Sequence, residues 1–191
     1  FLDMCGLQYF DLDYDDIPEV IEHFSRSELK RPEEDTGVKL RRKMVVWDFD
    51  ETFMKSHWFS TSRQIFSDQT NIPDNELDKY YGGILDRLKI NHPKYDLSYP
   101  EMIQLVERLY ENGVVLAIAS MGRNNLIHKV LKELDILKKY FKKENIITPR
   151  SIGHQDGQNL PNKNDMLKML KVNNGIEDNS DIFFFDDDIN N

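Results

Sequence analysis

Three uninterrupted apolar runs stand out in a mostly polar chain, and each stops abruptly at a short polar side chain. Met44-Val-Val-Trp47 runs into Asp48, Val114-Val-Leu-Ala-Ile-Ala119 into Ser120, and Ile182-Phe-Phe-Phe185 into Asp186. Short apolar runs without polar alternation read as strands buried on both faces, as in a parallel sheet. Elsewhere apolar positions recur at three- and four-residue steps. Leu77, Tyr80, Tyr81, Ile84, Leu85 and Leu88 mark a helix after Pro73, weakened or kinked at Gly82-Gly83. Met102, Leu105, Val106 and Leu109 mark another, with Ser98-Tyr-Pro-Glu101 as its capping box and Asn112-Gly113 as its stop. Ile127, Val130, Leu131, Leu134 and Leu137 predict a helix over about 124–138, and Met166, Leu167, Met169 and Leu170 a short one after Lys163. Ile146-Ile-Thr148 is a short strand candidate, followed by a polar loop over 149–162. Strands alternating with helices predict an α/β fold, a mostly parallel sheet with helices on both faces.

The flanks are less periodic. Residues 1–42 read as an N-terminal helical extension and connector. Val20, Ile21 and Phe24 give a helix of roughly 18–26 after Asp15, Asp16 and Pro18, and the charged stretch with Pro32 and Gly37 follows. Gly6 and Gln8 make the residues before Asp11 a poor strand, so Asp11-Leu-Asp13 reads as an acidic cap. Residues 43–191 form the core, with a small insertion at about 53–95. Phe53 to Ser67 has no clear period, and Trp58, Phe59 and Phe66 are candidates for a flap or wall.

Composition narrows the classes. A hydrophobic fraction of 39% over 191 residues supports one core. No apolar run approaches membrane-spanning length. The single Cys5 excludes an internal disulfide and fits a cytoplasmic or other reducing compartment. A net charge of −9 argues against nucleic acid as a partner, and any anionic substrate needs cations supplied locally. The chain runs from Phe1 to Asn191, and the native protein is expected to extend further.

The strand ends carry the chemistry. On a strand, Asp48 and Asp50 project from one side, at the sheet edge where open α/β folds bind ligands. Neighbouring carboxylates need a cation or a proton between them, and oxygen ligands suit Mg²⁺. Ser120, Asp186 to Asp188 and Lys163 come to the same edge. Carboxylates, a hydroxyl and an ammonium together suit phosphoryl transfer.

In order, these segments resemble the four motifs of the haloacid-dehalogenase (HAD) superfamily of aspartate-nucleophile phosphatases. They are Asp48-Phe-Asp50-Glu-Thr52, Ala117-Ile-Ala-Ser120, Lys163, and Phe185-Asp186-Asp187-Asp188-Ile189-Asn190-Asn191. The resemblance spans about residue 43 to the end and implies a Rossmann-like HAD fold with a small cap or none. It implies Asp48 as nucleophile and Asp50 as acid and base. It places Mg²⁺ on Asp48, Asp187 and the Asp50 backbone carbonyl, with Asp188 an alternative ligand. Ser120, Lys163 and Thr52 would meet the substrate, Asp186 would orient Lys163 or metal-bound water, and Asn191 would stand behind the ligands.

Shorter resemblances refine the substrate. Trp47-Asp-Phe-Asp-Glu-Thr52 with His57 is similar to the Eyes-absent protein tyrosine phosphatases, and the Phe-Phe-Phe-Asp-Asp ending to the magnesium-dependent phosphatase group. The Asp-x-Asp-Glu-Thr core also occurs in phosphatases of the RNA polymerase C-terminal tail. Together they imply a phosphoprotein substrate, phosphotyrosine slightly favoured; a small-metabolite phosphatase and a non-catalytic HAD-fold binding module are the alternatives. His57, nine residues past Asp48, could line the site, with a packing or surface role the favoured reading, and the other histidines lack metal-ligand spacing. Most of Trp58, Phe59, Tyr80 and Tyr81 are expected to pack. Oligomeric state is left open.

Overall fold

The computed structural model describes residues 8–10, 42–66, 74–153 and 162–187. The expected helix at 18–26, the acids Asp11 and Asp13, and the site candidates Asp188 and Asn191 lie outside the described residues.

Among the described residues, five parallel strands form one sheet: β1 (Gln8–Phe10), β2 (Met44–Trp47), β3 (Val115–Ala119), β4 (Ile146–Ile147) and β5 (Ile182–Phe185). Their spatial order is β1-β5-β2-β3-β4. Five α-helices are described: α1 (Trp58–Phe66), α2 (Asp74–Leu88), α3 (Met102–Glu111), α4 (Asn124–Glu133) and α5 (Lys163–Asn174). The fold is therefore α/β with a parallel sheet, as the alternation of apolar runs and amphipathic segments predicts.

Alternation along β2 divides the core. Val45 and Trp47 pack with residues of α1 to α4, whereas Met44 and Val46 pack with Met166, Leu167 and Leu170 of α5. Every residue of β2 and β5 is buried, which explains the absence of polar residues from both runs. The chain builds outward from β2 through β3 to β4, then returns across β2 to place β5 on the other side. That reversal puts a crevice at the carboxyl ends of β2 and β5, the position where open α/β sheets hold ligands.

Local readings are corrected in several places. Gln8–Phe10, judged a poor strand, pairs in parallel with Phe183–Phe185 and extends the sheet. Pairing to a buried neighbour overrides weak intrinsic preference. The helix predicted to about 138 stops at Glu133, where Leu134 caps it and Asp135 takes φ 58. Gly82-Gly83 does not interrupt α2, which runs through both glycines. The Ser98–Glu101 capping box does not form: α3 starts at Met102, and the Ser98 hydroxyl donates to the Phe53 carbonyl at 3.2 Å. The aperiodic stretch after Phe53 contains α1, with Trp58 fully buried.

Candidate active site

Asp48 leaves β2 in sheet register, its N–H donating to the Phe185 carbonyl at 2.8 Å. The strand ends there. Phe53 N–H reaches back to the Asp48 carbonyl at 3.2 Å and Met54 N–H to the Phe49 carbonyl at 2.9 Å, closing a wide turn. Inside it Asp50 is extended (φ −75°, ψ 133°) and Glu51 sits at φ 58°, unusual for a residue other than glycine. The strand alternation that put Asp48 and Asp50 on one side therefore stops short of them, and the two carboxylates acquire different partners.

Asp48 faces Lys163. Lys163 Nζ lies 3.0 Å from Asp48 Oδ2 and donates to Asp186 Oδ2 at 2.6 Å. It is 3% exposed at the first turn of α5, where Asn162 caps the helix by accepting from Asp165 N–H. The other Asp48 oxygen, Oδ1, is buried with no hydrogen-bond partner among the described residues. Burial raises the Asp48 carboxyl to about 7; Lys163 pulls the other way and Asp186 adds to the rise.

Asp50 instead caps α1. Its Oδ1 accepts from Trp58 N–H at 2.7 Å, and Phe59 N–H lies 3.3 Å from both carboxylate oxygens. An anionic side chain at a helix N-terminus is favoured by the exposed N–H groups and the dipole. His57 Nδ1 stands 3.5 Å from Asp50 Oδ2 and also 3.3 Å from Ser60 N–H. The two contacts are exclusive. A ring with its Nδ1 lone pair free accepts from Ser60, and a ring protonated there points the N–H at Asp50. Hydrogen bonding to Asp50 raises the His57 pKa above its usual value. His57 is thus both a surface residue and a neighbour of Asp50, immediately before α1.

Ser120 ends β3, its Oγ accepting from Gly122 N–H at 3.0 Å, so the hydroxyl proton remains available to donate. A Cβ placed on Gly122 would lie 3.2 Å from Ser120 Oγ and 3.6 Å from Asp50 Oδ2. Gly122, absent from the sequence-derived site, thus keeps open the gap between Ser120 and Asp50. Gly122→Ala is expected to lower kcat/KM roughly tenfold or more by filling that gap, with stability within about 1 kcal/mol of the parent. Parallel kinetics and chemical denaturation check this, and unchanged kinetics would show that nothing needs the gap.

Arg123 follows, buried, its Nε–H donating to Ser62 Oγ at 3.0 Å and its guanidinium 5.8 Å and 5.7 Å from the Phe59 and Phe66 rings. It ties α1 to the loop after β3. Of the aromatics expected mainly to pack, Trp58 and Tyr81 are buried in the core.

Thr52, expected at the substrate, has another engagement. Its hydroxyl donates to Asp187 Oδ1 at 3.2 Å and accepts from Asp187 N–H at 2.9 Å, so it holds the turn after β5 in place. Carboxylate oxygens of Asp48, Asp186 and Asp187 lie within 4.8 Å of one another. Hard oxygen donors at this spacing, one belonging to a residue with an unpartnered buried oxygen, fit a divalent cation such as Mg²⁺. The Asp50 carboxylate stands apart from this cluster on α1, leaving its backbone carbonyl as the ligand the family resemblance implies.

No family model matches the chain, and no curated protein matches it. Among solved structures, the chain is similar to a phosphoserine phosphohydrolase-like protein from Francisella tularensis subsp. tularensis SCHU S4. The TM-score is 0.44 and the sequence identity 19%, over 74% of this chain and 76% of that one.

No helix among the described residues is long and apolar enough to cross a membrane.

Proposed function

We propose that the chain is a Mg²⁺-dependent phosphomonoester hydrolase of the HAD type, working through a phosphoaspartate on Asp48, with phosphoproteins as substrates and phosphotyrosine slightly favoured. One observation above all supports this reading. Asp48 has one oxygen 3.0 Å from a buried ammonium and the other buried without a partner among the described residues, an arrangement that suits an oxyanion awaiting an electrophile.

Asp48 attacks phosphorus in line; its O–P bond forms as the bond from phosphorus to the leaving oxygen breaks. Asp50, entering protonated, gives its proton to that oxygen. Asp50 then takes a proton from the water that attacks the phosphoaspartate, which releases inorganic phosphate and restores Asp48. Ser120 O–H donates to a phosphoryl oxygen, and Lys163 offsets charge on the nucleophile and phosphate. Asp48, Asp186 and Asp187 set three carboxylates against the ammonium of Lys163, so an incoming phosphate dianion meets an excess of negative charge. Asp48, Asp187 and the Asp50 carbonyl, with Asp186 beside them, would hold Mg²⁺, whose charge would offset the repulsion between an anionic carboxylate and an anionic phosphate.

The protein-phosphatase part rests on the resemblance of Trp47 to Thr52 and on access. Asp187 is exposed, and the His57 side chain beside Asp50 is 47% exposed, which leaves solvent at the rim of the site. Hydrolysis of p-nitrophenyl phosphate with Mg²⁺, and its loss with EDTA, is the expected result, followed by faster turnover of phosphotyrosine peptides than of phosphoserine peptides or sugar phosphates. No turnover with Mg²⁺ removes the enzyme in favour of a binding module. A sugar phosphate hydrolysed faster than every peptide replaces the protein substrate by a metabolite.

A further inference from the structure

Asp96 lies 46 positions beyond Asp50 in a segment with no motif, yet its side chain is 4% exposed. A buried carboxylate is costly unless donors satisfy it. Here three donors do. Ser56 Oγ–H donates to Asp96 Oδ1 at 2.6 Å, and Ser56 N–H and the Trp58 indole N–H donate to Oδ2 at 3.2 Å and 2.7 Å. The backbone joins in: Lys55 N–H donates to the Asp96 carbonyl at 2.6 Å, and Met54 forms an antiparallel bridge with Leu97.

Everything Asp96 grips lies within three residues of the start of α1. Trp58 is the critical member, because its two N–H groups serve two carboxylates. The indole N–H goes to Asp96 and the main-chain N–H to Asp50, both at 2.7 Å, while the ring is fully buried in the core. Trp58 is a rigid strut between them. We infer that Asp96 is a positioning residue for Asp50: it fixes Ser56 and Trp58, hence the first-turn N–H groups of α1 that orient the Asp50 carboxylate toward the leaving oxygen.

This rests on the phosphatase reading for its chemistry, and the consequence is selective. p-Nitrophenolate departs without a proton. A phenolate such as tyrosine's, whose conjugate acid has a pKa of about 10, depends on one, and an alkoxide depends on it more. Asp96 therefore matters, in the step that releases the alcohol, for substrates with poor leaving groups and little for activated ones, whereas the later hydrolysis of the phosphoaspartate is common to both. Chemically the site could keep its acceptors without the charge. An Asn oxygen at the Oδ2 position accepts from Ser56 N–H and Trp58 indole N–H, and its amide donates to Ser56 Oγ.

The test compares wild type, Asp96→Ala, Asp96→Asn and Trp58→Phe with Mg²⁺ on p-nitrophenyl phosphate and phenyl phosphate. Asp96→Ala is expected to lose roughly thirty- to hundredfold in kcat/KM on phenyl phosphate but less than about fivefold on p-nitrophenyl phosphate, because kcat/KM reads the step in which the alcohol departs. Asp96→Asn is expected to restore the ratio of the two substrates to within about threefold of wild type. Trp58→Phe, which keeps the core filled, shows the same bias more weakly and carries the test if Asp96→Ala does not fold. Equal losses of kcat/KM on both substrates, or none, overturn the proposal. Amide NMR supplies an arm independent of turnover: the Trp58 main-chain N–H resonance should move upfield in Asp96→Ala in the direction produced by Asp50→Asn. A Trp58 amide that stays put overturns the positioning role whatever the kinetics. A wild-type protein that hydrolyses neither ester removes the phosphatase reading, and the NMR arm still decides whether Asp96 holds Asp50.

Discussion

On the proposed function, Asp48→Asn is expected to abolish turnover, with kcat falling by about ten-thousandfold or more, while the metal-free protein is expected to melt no lower than wild type at pH 8. The first half follows from the nucleophile role proposed for Asp48: an amide in that position has no anionic oxygen to join to phosphorus. The second follows from burial. The Asp48 carboxyl is held at about 7 in the fold against a reference of 3.8, and desolvation is the largest cause. A folded-state value above the unfolded one means that the native protein keeps a proton the unfolded chain has released. Stability linked to this group is complete below about pH 4 and is lost as pH rises through about 7. Asn is neutral throughout, so the gap between variant and wild type opens over that window, reaches at most a few kcal/mol, and is flat above it. Loss of the 3.0 Å contact with Lys163 works against the gain, but Lys163 retains Asp186 at 2.6 Å. Thermal melts in EDTA at pH 5 and pH 8 read the gap. Added Mg²⁺ should raise the wild-type Tm more than that of Asp48→Asn. An active Asn variant removes Asp48 as nucleophile, and one that melts well below wild type at pH 8 shows that the ion pair outweighs desolvation.

How much of this was legible depends on where each signal lived. Buried parallel strands announce themselves locally, because Met44–Trp47 and Ile182–Phe185 have no solvent face and so no polar residues. Polar residues that end such strands are equally visible, and the sheet brings Asp48, Ser120 and Asp186 to one edge. Lys163 was findable from order alone. What escaped were groups whose role depends on a partner far along the chain. Gln8–Phe10 looks unlike a strand until β5 pairs with it. Helix α1 fully buries only Trp58 and Ser62, with Ile65 and Phe66 packed against the core at its far end, and takes its N-terminal cap from Asp50, so its apolar stripe is short and it has no local cap signal. His57 and Asp96 inherit that invisibility, since both act at the start of α1. Thr52 was assigned to the substrate because the motif includes it, whereas its hydroxyl is committed to Asp187 across 135 residues. Gly122 is a case of a site residue defined by the side chain it lacks.

Lys163→Met is expected to lose about 3 kcal/mol of stability and roughly a thousandfold in kcat/KM, and the two losses have separable causes. Lys163 is almost wholly buried, over the Phe184 ring at 5.7 Å and between two buried carboxylates. Met fills the space of the alkyl stem, so the cavity term is small. What is lost is the only cation seen among the described residues between Asp48 and Asp186, leaving two desolvated carboxylates facing each other. Removing one partner of a buried pair costs more than the pair itself contributes, because the remaining charge stays buried. The remedy for stability is therefore to remove a second charge. Lys163→Met/Asp186→Asn should recover about 2 kcal/mol relative to Lys163→Met alone, a coupling that a double-mutant cycle by urea denaturation measures directly. Mg²⁺ should also stabilise Lys163→Met more than wild type, since it becomes the main neutralising charge. Activity should follow neither rescue. The phosphoryl group still arrives without the ammonium that offsets its charge, so the double variant is expected to stay about as slow as Lys163→Met. A Lys163→Met protein as stable as wild type would show that desolvation of three ions cancels their attraction. A double variant that regained turnover would make Lys163 a structural neutraliser of Asp186 instead of a participant in phosphoryl transfer.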